Sequence, residues 1–161
     1  MTQIVLTPIG WVRSNVTAQK EDYWGNVVSV IEFEKGQLES EALKGLEDFS
    51  HVEVLFHLSD VPESSIERGG RHPRNNSDWP KVGILAQRAK ARPNRIAATV
   101  CEVIEVGQTS LTVRGLDAFD GSPVLDVKPV LLEFLPDKAH IKQPQWSHEM
   151  MEYYFQSDTS K

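Results

Sequence analysis

A chain of 161 residues, 40 % of them hydrophobic and 25 % charged, is long enough for one domain with a real core and too short for two comfortable ones. No apolar run approaches the ~20 residues that span a membrane, and the N-terminal Met1-Thr2-Gln3-Ile4 has no basic region followed by an apolar block, so no secretory signal is expected. A net charge of −6 argues against a general polyanion-binding surface, and a single cysteine, Cys101, cannot form an internal disulfide and fits a reducing cytoplasm.

In chain order the predicted elements are mostly strands. Ile4 to Val12 and Val27 to Phe33 are rich in β-branched residues. Asp22-Tyr23-Trp24-Gly25-Asn26 precedes the second of them. Trp24 reads equally as a core residue at a strand start and as an aromatic platform, and Gly25 admits close backbone approach. Leu38, Ala42, Leu43 and Leu46 recur at helical spacing and predict a helix. His51 to Leu58 alternates, with Val52, Val54, Phe56 and Leu58 on one face and His51, Glu53, Leu55 and His57 on the other. Residues 59–81 read as a long polar loop, of the kind that is functional or disordered in a compact domain. Strands follow at Val82 to Arg88, Ile96 to Val106, Leu111 to Leu116 and Val124 to Val127, and Gly107-Gln108-Thr109-Ser110 suits a hairpin connection. A short helix is expected within Trp146 to Phe155. Many short strands with short turns predict a mainly β fold: a single small antiparallel β-barrel over residues 1–138, one or two short helices, and a C-terminal tail over 139–161.

The charge is uneven. Residues 68–95 hold eight basic residues (Arg68, Arg71, Arg74, Lys81, Arg88, Lys90, Arg92 and Arg95) against one acid, Asp78. Such a stripe on an acidic chain reads either as a localised anion site or as a solvated loop. Within it Pro93 forces Arg92 to be extended, and the guanidinium forks of Arg88 and Arg92 match a carboxylate or phosphate. Arg71 and Arg74 are the candidate phosphate contacts. Downstream, Gly115-Leu116-Asp117-Ala118-Phe119-Asp120-Gly121-Ser122-Pro123 sets two aspartates on a turn, where capping is their ordinary role. Asp126 and Lys128 share a strand face as an ion pair would. His51, Glu53 and His57 share a face too, but without further strong ligands they predict no metal site. Neither a Gly-x-Gly-x-x-Gly after a strand nor a Gly-x-x-x-x-Gly-Lys-Ser/Thr loop is present, so a nucleotide-fold cofactor site is not expected.

Gly83 to Asn94, the segment Gly115 to Pro129, Pro8-Ile9-Gly10 and Gly45-Leu46-Glu47-Asp48-Phe49-Ser50-His51 together resemble the YaeB/TsaA-like family. Its TrmO-type members are S-adenosylmethionine-dependent methyltransferases of N6-threonylcarbamoyladenosine beside the tRNA anticodon. The resemblance covers roughly positions 5 to 135 and departs from the family pattern at Gln87, Arg95 and Ala97. It implies a β-barrel that binds S-adenosylmethionine through Trp24, Gly25, His57, Leu58, Arg88, Arg92, Val100, Leu116, Asp117, Ala118, Phe119 and Asp120. It implies a homodimer and a tRNA substrate; neither a metal nor a membrane is expected, on the grounds of the residues themselves. The acceptor amine, delocalised into a carbamoyl group, is a poor nucleophile that a carboxylate base would help, and Asp120 or Asp126 is the candidate. A barrel that senses S-adenosylmethionine without transferring a methyl group, a transferase acting on another substrate, and a plain RNA-binding barrel are the competing expectations.

Overall fold

The alternation predicted for residues 51–58 is realised. Val52, Val54 and Phe56 are at most 1 % exposed and Leu58 9 %, while their neighbours face outward. The computed structural model describes residues 1–160. Its strands are β1 (Gly10–Arg13), β2 (Val28–Phe33), β3 (His51–His57), β4 (Gly70–Arg71), β5 (Val82–Gly83), β6 (Ile96–Val106), β7 (Ser110–Arg114) and β8 (Pro123–Pro129); one α-helix, α1, spans Gln145–Met151.

Six strands close an antiparallel barrel in the order β1-β2-β7-β6-β3-β8, and β4 pairs with β5 outside it. Side chains at every second position point inward, so Val12, Ile31, Val54, Phe56, Leu111 and Val113 meet in one core. β3 is the best-held strand, with seven paired positions on β6 and a ladder to β8 that shifts register between Leu55 and Phe56. A second shift, between Val103 and Glu105, bends β6 against β7. The closing seam is short: only Gly10↔Val124 and Trp11↔Pro123 join β1 to β8. Gly10 is required there, because a Cβ would sit 2.6 Å from the Glu32 carbonyl oxygen of β2.

Three expectations are corrected. The strand predicted from Ile4 begins only at Gly10; Ile4 and Val5 are 80 % exposed. β-Branching favours an extended backbone but supplies no partner strand. The helix predicted over Leu38 to Leu46 is a run of turns ending in a 3-10 turn at Leu46–Asp48, framed by Gly36 and Gly45 at φ 85° and 89°. The strand predicted over 82–88 stops after Gly83 and gives way to a 3-10 turn at Ile84–Ala86. The Gln87 amide closes that turn on the Ile84 carbonyl, and its Nε2 ties the turn to β4 and β5 by donating to the carbonyls of Arg71 and Val82. The same bonds, with 3-10 turns at Glu63–Ser65 and Pro73–Asn75, give the long polar loop a defined path. Among the described residues no helix is long and apolar enough to cross a membrane.

Candidate functional site

One end of the barrel gathers the end of β3, the start of β6, the segment after β7 and the loops 20–26 and 87–95. After β7 the chain bends at Gly115, at φ 88°, and continues without regular structure to Phe119. Leu116 and Ala118 turn into the core at 0 and 1 % exposure, which leaves Asp117 and Phe119 half-buried on the other side. Asp117 is held by two donors: Thr99 Oγ1 to Oδ1 at 2.5 Å, and the Tyr154 hydroxyl to Oδ2 at 2.5 Å. Burial, and then the neighbouring Asp117 carboxylate, hold the Tyr154 phenol above its ordinary range, so it remains a donor. The Lys90 ammonium lies 4.1 Å from the Phe119 ring centre. Burial pulls the Lys90 ammonium below its usual range, against the opposing pull of Asp60, Asp117 and Glu21.

Loop 20–26 is fixed from two sides. Arg74 grips Asp22 with both terminal nitrogens, at 2.8 and 3.1 Å, and one of them also reaches the Glu21 carbonyl. From the other side the amides of Tyr23, Trp24 and Gly25 donate to the carbonyls of Tyr153, Tyr154 and Gln156. Trp24 is 1 % exposed and packs 6.0 Å from Phe119, so it is a core residue and not a platform for a purine. Gly25 does admit a close backbone, but that backbone is the protein's own: a Cβ would lie 1.9 Å from the Phe155 carbonyl oxygen.

Pro93 has the expected effect. Arg92 is extended at φ −111°, ψ 155°, and Asn94 turns the chain at φ 62°. Arg88, Arg92 and Arg95 each give one N–H to a carbonyl: Arg88 to Ala98, Arg92 to Gln87 at 2.7 Å, and Arg95 to Val61 at 2.6 Å. His57 Nδ1 meets Ser59 Oγ at 2.6 Å, and burial, with the Arg95 charge second, lowers its pKa and favours the neutral ring. Leu58 is a core residue that donates its amide to the Arg95 carbonyl. Val100, between the inward Thr99 and Cys101, faces outward from β6 at 46 % exposure, opposite Glu53 of β3. Cys101 is inert as expected of an apolar strand residue, its thiol pushed up to about 12 by burial and by Asp117.

Four expected residues stand elsewhere. Arg74 is not a free phosphate contact, because its fork is engaged by Asp22. Arg71 is half-buried in β4, its carbonyl taken by Gln87 and its Nε buried without a partner among the described residues. Asp120 is exposed and its side chain ties this segment to the loop after β1, accepting from the Ser14 amide at 3.0 Å. Asp126 pairs with Lys128 at 2.6 Å and lines a groove of about 390 Å³ with Ile9, Phe33 and Leu46. Neither aspartate bonds to the Asp117 cluster. No three His, Cys, Asp or Glu side chains converge on a metal position among the described residues.

Thr99, Lys90 and Tyr154 are the members of this end that the sequence reading missed. Thr99 carries a signal: it is the polar residue at an inward position of an alternating strand. Lys90 sits inside the basic run. Tyr154 carries none, since 37 residues separate it from Asp117.

Residues 13–134 match the family model of the tRNA-methyltransferase O N-terminal domain. A probable S-adenosyl-L-methionine-binding protein of Methanothermobacter thermautotrophicus is 37 % identical over 79 % of this chain and 90 % of its own length. The tRNA (adenine(37)-N6)-methyltransferase of Escherichia coli is 36 % identical over 63 % of this chain and 45 % of its own. The crystal structure of TrmO from Pseudomonas aeruginosa superposes with a TM-score of 0.72 at 26 % identity, covering 91 % of this chain and 62 % of that one. The chain thus spans under half the length of the E. coli enzyme and under two thirds of the P. aeruginosa structure.

Proposed function

The chain belongs to the tRNA-methyltransferase O N-terminal domain family, and from that membership we propose that it binds S-adenosylmethionine at the Asp117 end of its barrel and methylates a modified adenosine in tRNA. The observation that supports this most is the Asp117 cluster itself: a carboxylate fixed by Thr99 and Tyr154, between two core residues, beside Phe119 and Lys90.

The donor set fits the cofactor. A guanidinium has five N–H donors, so Arg88 and Arg92 keep several for the cofactor carboxylate after their single bonds to carbonyls. Each Asp117 oxygen retains a lone pair for a ribose hydroxyl or the ammonium. Phe119 offers an apolar wall, and the backbone at 116–119 offers hydrogen bonds. Gly25 and Trp24 serve through the loop they build, and His57, neutral, adds no charge to repel a sulfonium. Bound S-adenosylmethionine supplies the electrophilic methyl group. The protein's contribution is alignment and exclusion of water by Leu58, Leu116 and Ala118. Asp120 and Asp126, tied to Ser14 and Lys128, are assigned no proton-transfer role.

The tRNA would meet the basic stripe, with Arg71 as its phosphate contact. Arg71→Ala is expected to weaken tRNA binding roughly threefold to tenfold, to flatten its salt dependence, and to spare cofactor affinity. Arg74→Ala is expected to do the reverse, by freeing loop 20–26. Filter binding at several salt concentrations, beside calorimetry with the cofactor, separates the two. The deciding assay is radiolabelled methyl transfer to tRNA with and without threonylcarbamoyladenosine. Transfer to neither, despite cofactor binding, would leave a sensor or a different acceptor.

The same proposal includes a homodimer. The outer wall of β6 exposes Ile96 and Val100 at 37 and 46 %, and Leu132 and Phe134 are exposed at 82 and 84 %. Such apolar surface on one small chain favours a second copy. Light scattering at micromolar concentration should give twice the 18.1 kDa chain mass, and a monomer mass would count against it. A cytoplasmic location, tested by fractionation, rests on the single unpaired cysteine.

A further inference from the structure

The family model ends at residue 134, yet one of the two donors on Asp117 comes from residue 154. The segment that carries it is seated by several independent contacts. After α1 the chain turns, and the carbonyls of Tyr153, Tyr154 and Gln156 receive the three successive amides of Tyr23, Trp24 and Gly25. The missing Cβ of Gly25 is where the Phe155 carbonyl lies. Glu149 on α1 accepts the Trp79 indole N–H at 2.9 Å, tying the helix to the polar loop. Tyr154 packs edge-on to Phe155 at 4.8 Å and points its hydroxyl at Asp117 Oδ2.

We infer that Tyr154 is a positioning residue of the proposed cofactor site: its hydroxyl and that of Thr99 fix the plane of the Asp117 carboxylate, so that the remaining lone pairs are aimed at the ligand. A carboxylate with one donor turns about its Cβ–Cγ bond; with a donor on each oxygen it does not. An O–H donating to an ionised oxygen is about twice as strong as a neutral hydrogen bond. Burial, and then the Asp117 carboxylate, hold the Tyr154 phenol above its ordinary range, so it supplies that donor through the neutral range. The inference rests on the assignment of S-adenosylmethionine to this end of the barrel.

The test is calorimetric titration of the full chain with S-adenosylmethionine, beside melting curves, for the native protein and for Tyr154→Phe, Tyr154→Ala and Thr99→Val. Tyr154→Phe keeps the ring and removes the hydroxyl. It should weaken binding about tenfold with little change in melting temperature. Thr99→Val should weaken it comparably, and the double variant should depart from the sum, because both donors act on one carboxylate. Absence of binding by the native protein would overturn the cofactor assignment and the inference with it. Native binding with Tyr154→Phe as tight as wild type would overturn the inference alone. So would a loss confined to Tyr154→Ala, or one matched by an equal fall in thermal stability, since either makes Tyr154 only a packing residue.

Discussion

Asp117→Ala is expected to lower affinity for S-adenosylmethionine about a hundredfold, and single-turnover methyl transfer at subsaturating cofactor by a similar factor. A hydrogen bond to a charged group contributes about 1.5–3 kcal/mol, and each 1.4 kcal/mol is tenfold in binding. The substitution removes the acceptor offered to the ligand. It also leaves Thr99 Oγ1 and the Tyr154 hydroxyl facing a gap, two polar groups that were satisfied by the carboxylate. Asp117→Asn separates these effects, since it keeps the shape but presents an NH₂ where a donor already points. It should bind poorly as well. A calorimetric affinity within threefold of wild type for Asp117→Ala would remove Asp117 from the cofactor site, whatever else the barrel does.

Gly25→Ala is expected to unseat the C-terminal segment. The added Cβ would lie 1.9 Å from the Phe155 carbonyl oxygen, 2.8 Å from its carbonyl carbon and 3.2 Å from the Gln156 carbonyl carbon. All three are backbone atoms, and no rotamer change moves them away. Overpacking of this kind costs about 1–3 kcal/mol. In a domain of this size that lowers the melting temperature by about 2–4 °C for each kcal/mol. The three amides of loop 20–26 would lose their acceptors at the same time. Limited proteolysis should cut the variant within residues 140–156 faster than the native chain. A melting temperature and a cleavage pattern both unchanged would show that the segment does not rest on Gly25.

The barrel was legible because its signal is periodic. Val52, Val54 and Phe56 alternate with polar neighbours, and a period of two leaves one face for the core. Ile4, Val5 and Leu6 have the same composition but no strand to pair with, and composition cannot report a partner. Leu38 to Leu46 has helical spacing, but two glycines at positive φ and a chain path folded back by turns defeat it. The Arg92-Pro93-Asn94 corner was readable from local sterics alone, since proline constrains its own φ and its predecessor. Arg74 was not. A basic residue in a polar loop looks like a phosphate contact until the distant acid that neutralises it, Asp22, is known. Trp24 was undecided by residue type and was settled only by burial. Tyr154 shows the limit most plainly, because a hydrogen bond between remote segments leaves no mark on either.

The short seam between β1 and β8 bears on how the chain reaches its native state. The barrel order places the first strand beside the last, so no hairpin between neighbours in sequence can close it. Closure brings Gly10 to Val124, and the entropy of that loop must be lost before two paired positions and the Ile9 amide bond to Val124 give anything back. Local pairs such as β6 with β7 can form early, but the ring is complete only when the chain's distant ends meet. Domains dominated by such non-local pairings fold in milliseconds to seconds and not in microseconds. Until then the edges of β1 and β8 are open to each other and equally open to other chains.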